Sequence, residues 1–306
     1  MLIVDIMKHL YVIGNGFDLF TGLNSKFSDF GRWLKYTYPF VHEVLFKVYS
    51  MDGEWWKDFE FQLGKLDIER YIREYEPVEI LEDEKLKELK KRVEFEQKYN
   101  LPPSMDYSSP SARNLSGMFA VLHNCLREWI QCCQYVIVNP KRIDLETKGS
   151  FFINFNYTDV LERVYGIPDE RVFHIHGRAS QSDRLIFGHD SVILDDGSLE
   201  SEQVSFELGK YRKFPYGYIG KYEGLTEVVN DVEFVHIYGL SFSPVDVDYI
   251  DWIYKHTPRS AKWEVSWFTE EDRAVIDEFV DGCCGLGSRL EYVRLGECCR
   301  LKDFNM

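Results

Sequence analysis

Residues Leu10 to Asn24 constrain the fold more than any other stretch. The run Leu10-Tyr-Val-Ile13 reads as a short apolar strand that enters Gly14-Asn15-Gly16 and then a helix start. Strand, glycine turn and helix in that order form the opening unit of an α/β chain. Glycines after a strand let backbone N–H groups approach a phosphate, and the helix N-terminus that follows adds its dipole to that anion site. The Gly-x-Gly-x-x-Gly pattern is incomplete, because Leu19 stands where the third glycine would be. By itself the turn therefore fits a tight strand-to-helix corner as well as a phosphate site.

The rest of the chain extends this unit. From Ser150 onward, strand patterns at 151–154, 171–175, 185–187, 233–238, 263–268 and 290–295 alternate with helical patterns at 159–165, 245–256 and 272–280. Such alternation predicts an α/β fold, with a mainly parallel Rossmann-like sheet and helices on both faces. Between about residues 30 and 149 the pattern is helical instead. It comprises an aromatic-rich stretch at 30–49 broken by Pro39, a stretch at 55–66, a charge-interleaved helix at 79–98, a loop at 101–110, and an amphipathic helix at 115–138 ended by Pro140. We read it as a large helical insertion in one domain spanning 1–306. Trp55, Trp56, Phe59 and Phe61 fit a packing stripe better than a ligand cage.

Composition narrows the function. A net charge of -15 argues against general nucleic-acid binding, which needs a basic footprint. No run approaches the roughly 18 apolar residues of a membrane helix. The apolar start lacks a charged leader region and contains Asp5, so no signal peptide is expected. Six of the seven cysteines form the adjacent pairs Cys132-Cys133, Cys283-Cys284 and Cys298-Cys299. Adjacent side chains diverge, so these are not zinc knuckles; they fit reduced thiols in a cytoplasmic protein.

Four polar clusters follow predicted strands: Gly14-Asn15-Gly16-Phe17-Asp18, Asn154 to Asp159, His174-Ile-His176-Gly177, and Gly239 to Asp246. A parallel sheet would bring all four to one edge. His176 is the side chain suited to accept a proton at neutral pH, and Gly177 would leave room for substrate. Asn156 can hold a ribose hydroxyl or a water in fixed geometry, or it can cap a helix, as can Thr158 and Asp159. Ser241 and Ser243 either contact a ribose or phosphate or cap a helix starting near Pro244. A metal site is the competing reading: i, i+2 spacing would set His174 and His176 on one strand face, with His189 and Asp190 close by in sequence.

Taken together, the clusters and the segments around them resemble the bacterial abortive-infection AbiH family of phage-defence proteins. The matching segments are Val12 to Leu19, Gly22 to Asp29, Phe152 to Thr158 with Leu161-Glu162, His174 to Gly177, Ile186 to Asp190 and Ile237 to Ser241. More distantly, the layout is similar to sirtuin-like NAD-consuming domains. That resemblance implies that Gly14, Asn15, Gly16, Phe17 and Asp18 form the dinucleotide loop and its flank. It makes Asn156 the ribose-side asparagine and His176 the base, and sets Gly239 and Ser241 near the adenosine. Asn154, Thr158 and Gly177 complete the implied contact set. Asn15 replaces a small alanine of those domains and Thr158 replaces an aspartate. Their zinc-ribbon cysteines have no counterpart here, which argues against protein deacylation.

The expected activity is hydrolysis of NAD⁺ to nicotinamide and ADP-ribose in phage defence. NAD is the substrate, catalysis needs no metal, and an unidentified phage component is the trigger. The helical insertion is the candidate surface for sensing or for homo-oligomer assembly. A nucleotide sensor without turnover and a metal-dependent hydrolase are the alternatives.

Overall fold

The computed structural model describes residues 7–51, 55–74, 109–182, 184–189, 197–213, 219, 220, 222 and 224–296. The predicted helix at 79–98 and loop at 101–108, the residues 1–6 and Asp190 lie outside the described residues. The chain divides into two compact units. One comprises Met1–Phe30, Arg127–Phe187 and Lys213–Met306; the other comprises Gly31–Leu126 and Gly188–Arg212.

The first unit holds a sheet of six parallel strands: β1 (His9–Ile13), β2 (Ser150–Asn154), β3 (Val172–His174), β4 (Phe234–Tyr238), β5 (Lys262–Ser266) and β6 (Leu290–Val293). Their order is β3-β2-β1-β4-β5-β6, and every neighbouring pair is parallel. This is the Rossmann-like α/β architecture that the alternation predicted. Parallel strands buried on both faces need near-continuous apolar runs, and all five residues of β2 are buried.

One face of the sheet carries Leu10, Val12, Phe151, Ile153, Val235, Ile237, Trp263 and Val265. They pack against α9 (Leu225–Asn230), α10 (Val247–His256) and α11 (Glu270–Gly282) through Val229, Tyr249, Ile253 and Ile276. The opposite face presents Tyr11, Ile13, Phe152 and Tyr238 to Phe17 of α1 (Asn15–Thr21) and to Val160, Leu161 and Val164 of α7 (Val160–Tyr165). Helices on both faces thus enclose two apolar layers.

Register sets the site. Ile13 pairs with both Asn154 and Tyr238, and Asn154 pairs with His174. Four strands therefore end on one level, and Gly14, Phe155, Ile175 and Gly239 leave the sheet together. The ladder continues one step further, with Gly14 N bonded to Tyr238 O (2.9 Å), Phe155 N to Ile13 O (2.9 Å) and Ile175 N to Asn154 O (3.1 Å).

The described elements of the second unit are helical. They include most of α2 (Phe27–Thr37), α3 (Pro39–Tyr49), α4 (Phe59–Leu63), α5 (Ile68–Glu74), the N-terminal stretch of α6 (Pro110–Tyr135) and α8 (Leu199–Gly209). Trp55, Trp56 and Phe59 are buried together, with the Trp56 and Phe59 rings stacked at 5.5 Å. A Cβ on Gly31 would lie 2.4 Å from the Trp56 ring.

Several boundaries differ from the sequence expectation. Residues 185–187 form no strand: Leu185 and Phe187 are buried as apolar anchors, while Ile186 spends its backbone bonds on His176 O and the Tyr157 hydroxyl. The long helix α6 stops at Tyr135, well before Pro140. Pro244 is not in the first turn of α10, which starts at Val247; Asp246 occupies the cap position without a side-chain cap bond.

Candidate functional site

The glycine turn meets the loop after β4 in direct backbone contact. Gly16 N donates to Gly239 O (2.7 Å) and Phe17 N to Gly14 O (3.0 Å). A Cβ on Gly14 would lie 2.6 Å from Gly239 O, and one on Gly239, whose φ is +69°, would lie 2.1 Å from Phe17 N. The glycines are thus required by a loop-to-loop contact, and the Gly14, Gly16 and Phe17 amides are bonded within it. Asn15 turns away: its amide donates to Ser25 O (2.9 Å) and its carbonyl oxygen accepts from the Ser25 hydroxyl (2.5 Å). Ser241 is exposed on the loop after β4.

Beyond β1 and β2 the side chains form a buried network. Asn154 accepts from Asn156 N (3.0 Å) and shapes the turn. The Asn156 amide donates to Gly14 O (3.0 Å), joining the β2 loop to the glycine turn. Thr158 Oγ1 donates to Asp18 Oδ2 (2.6 Å), while Asp18 Oδ1 is buried without a hydrogen-bond partner. Burial pushes the Asp18 pKa up to about 7, against the bond from Thr158 and the nearby Asn156 amide. Asp159 caps α7 by position only; its carboxylate takes Arg178 Nε (2.7 Å) and the Ser180 hydroxyl (2.8 Å). Asp159 also lines a groove of about 190 Å³ with Gln134, Arg142 and Arg163, and neither Asn156 nor His176 lines it.

The two histidines diverge, which corrects the expectation that they share a face. Strand β3 ends at His174, and Gly177 (φ +83°) turns the chain, so strand alternation does not extend to His176. His174 meets Glu162 Oε1 (2.7 Å) and Asn156 O (3.4 Å). His176 lies among the Phe155, Tyr157 and Tyr249 rings. Gly177 is needed for the turn itself, since its Cβ would lie 2.7 Å from Arg184 O. His189 belongs to the second unit, where its Nε2 meets Leu208 O (3.2 Å). Among the described residues no group of three or more His, Cys, Asp or Glu side chains is arranged to hold a metal ion.

His176 is 2 % exposed. Its Nδ1 lies 3.3 Å from Phe155 O, and a carbonyl can only accept, so Nδ1 carries the proton. In the neutral ring Nε2 is then a bare lone pair, and it is buried with no hydrogen-bond partner. Burial, with the Lys213 ammonium adding to it, drives the His176 pKa well below the usual histidine range, against the bond to Phe155 O. Lys213 is itself buried and paired with Asp246 (3.3 Å), which also receives the Ser243 hydroxyl (3.3 Å). Sequence reasoning named Glu162 only within a matching segment, gave it no role, and missed Lys213 and Arg178 as site neighbours. Two signals were available: Arg178 follows His176-Gly177 directly, and Glu162 lies one helical turn after Asp159.

Parallel strands in this order define a Rossmann-like α/β protein, and its polar loops and the buried His176 gather beyond the strand C-termini as a candidate site. Residues 10–267 match the model of the bacteriophage abortive infection AbiH family, and the chain belongs to that family. Its role is phage defence by abortive infection. A comparison with curated proteins finds no match.

Proposed function

We propose that this protein cleaves the nicotinamide–ribose bond of NAD⁺. The observation that carries this reading is the buried, unpartnered Nε2 lone pair of His176. An orphaned buried acceptor costs about 1–3 kcal/mol, and such atoms gather where a ligand or a reacting proton completes them. The bond between nicotinamide N1 and ribose C1′ breaks with its electron pair going to the pyridinium, so nicotinamide leaves neutral and needs no acid. Water attacks C1′, and its proton goes to Nε2; the products are ADP-ribose, nicotinamide and one proton. A histidine kept neutral by burial is suited to this step. Asn156, anchored on Gly14 O, would position the ribose or the water.

The test is release of free nicotinamide from NAD⁺ by the purified chain, beside His176→Ala and Asn156→Ala. Loss of the base is expected to lower the rate by about 10²–10⁴. Unchanged turnover in a folded His176→Ala protein would refute the assignment. Binding of NAD⁺ by calorimetry without release would favour the nucleotide sensor.

A further inference from the structure

His174 and Glu162 take no part in the step assigned to His176, yet they meet beside Asn156. Strand β3 ends at His174, and its register with β2 sets His174 against Asn154, two residues before Asn156. Glu162 comes from the first turn of α7. Both side chains are 8 % exposed, and His174 Nε2 lies 2.7 Å from Glu162 Oε1. The other ring nitrogen, Nδ1, lies 3.4 Å from Asn156 O. A carboxylate and a carbonyl oxygen only accept, so with both bonds made each ring nitrogen carries a proton and Glu162 is the counter-ion. Arg178 Nη1 lies 3.8 Å from the same Glu162 oxygen, while its closer partners are Asp159 (2.7 Å) and Asp169 (3.1 Å). The short contact with Glu162 holds the ring by Nε2 and aims Nδ1 at the Asn156 carbonyl.

Asn156 is held at three different atoms. Its N donates to Asn154 Oδ1 (3.0 Å) and its Nδ2 to Gly14 O (3.0 Å); its carbonyl oxygen meets His174 Nδ1. Residues 156–158 belong to no helix or strand, so bonds of this kind set the orientation of the turn. The first two bonds fix the amide nitrogen and the tip of the side chain. The third fixes the carbonyl, and with it the plane of the peptide that leads to Tyr157. We propose that His174 and Glu162 are positioning residues for Asn156: Glu162 fixes the His174 ring, Nδ1 of that ring fixes the Asn156 main chain, and the Asn156 side chain is thereby presented in one orientation to the reacting ribose or water. The proposal rests on the reading of Asn156 as the residue that orients them.

Asparagine and glutamine separate the two ring positions. The amide nitrogen of His174→Asn falls where Nδ1 lies and can still donate to Asn156 O; that of His174→Gln falls near Nε2 and reaches Glu162 instead. Steady-state nicotinamide release from NAD⁺ is measured for the full chain as wild type and as both variants, with near-ultraviolet circular dichroism as the folding control. His174→Gln should lower kcat about 10²-fold, the cost of a misplaced group, with KM within about threefold. His174→Asn should keep kcat within about tenfold of wild type. A merely structural role for His174 would make the two variants alike, so equal losses, or no loss in His174→Gln, would overturn the proposal. Amide hydrogen exchange over 154–159, read by mass spectrometry, follows the same contrast without turnover. It should rise about tenfold in His174→Gln and stay near wild type in His174→Asn; equal exchange in the two would also overturn the proposal. If His174→Gln does not fold, Glu162→Leu, which removes the support of the ring, takes its place under the same criteria. Failure of both to fold, or of His174→Asn, would make the pair structural and end the proposal. If wild type releases no nicotinamide, the NAD⁺ reading falls and the exchange contrast alone decides whether His174 positions Asn156.

Discussion

Asp18 offers a quantitative test of the buried network. Its carboxyl is 1 % exposed, with one oxygen bonded to Thr158 and the other without a partner. Its pKa rises from 3.8 to about 7, because burial penalises the charged form more than the Thr158 bond and the nearby Asn156 amide favour it. The folded state therefore holds this proton more tightly than the unfolded chain does. Its stabilising effect is fully present below the unfolded pKa and is lost as pH rises through the folded one. The shift corresponds to about 4 kcal/mol at alkaline pH, of which roughly 1–2 kcal/mol is lost between pH 6 and 8.5. Asp18→Asn cannot ionise, yet its carbonyl can still accept from Thr158. Its new NH₂ costs about 1–3 kcal/mol if it finds no partner, but that cost is the same at both pH values and cancels in the comparison. Urea unfolding followed by tryptophan fluorescence, at pH 6 and pH 8.5, gives the needed difference. Asp18→Asn should gain roughly 1–2 kcal/mol on wild type between the two conditions. A difference independent of pH, or one of opposite sign, would refute the argument that burial dominates at this carboxyl.

Gly239→Ala should destabilise the fold by at least about 3 kcal/mol, because a strained φ is compounded by a backbone clash at 2.1 Å. Gly22→Ala, at φ +111° with open space around it, should cost only about 1–2 kcal/mol, both variants being compared with wild type by thermal unfolding. Thr269→Ala removes the capping box of α11, in which Thr269 Oγ1 accepts from Asp272 N (3.1 Å), and should cost about 1 kcal/mol by urea unfolding. The acid limb of nicotinamide release should lie well below pH 6.5, since His176 stays neutral until then; a limb at or above 6.5 in a pH–rate profile would contradict the burial argument.

The sheet was legible because parallel strands buried on both faces leave apolar runs, as at Phe151 to Ile153. The level at which the four loops leave the sheet was legible for the same reason, since strand ends mark it. What sequence could not separate was the purpose of Gly14, Gly16 and Gly239. A phosphate and a neighbouring backbone make the same demand, that no Cβ be present, and the pattern of glycines is identical in the two cases. The run at 185–187 has strand composition, yet its hydrogen bonds go to a histidine carbonyl and a tyrosine hydroxyl. Lys213 carries no motif at all, and it gains meaning only from Asp246 and His176, which the fold brings to it.

Strand order supplies the last step. In an open parallel sheet the ligand crevice lies where the order reverses, which here is between β1 and β4. That place is filled by the contact of Gly14 and Gly16 with Gly239, and its amides are bonded. A phosphate seeking them would have to push the glycine turn and the β4 loop apart and replace the bond between Gly16 and Gly239. The buried polar atoms left without partners include His176 Nε2, Asp18 Oδ1 and Glu162 Oε2, which follow β3, β1 and β2. These three lie on the β1–β3 half of the sheet, whereas Trp263 Nε1, also without a partner, lies on β5. Of the loops beyond the sheet, those after β2 and β3 therefore keep an unpartnered carboxylate oxygen and an unpartnered imidazole nitrogen, while the glycine turn and the β4 loop satisfy each other.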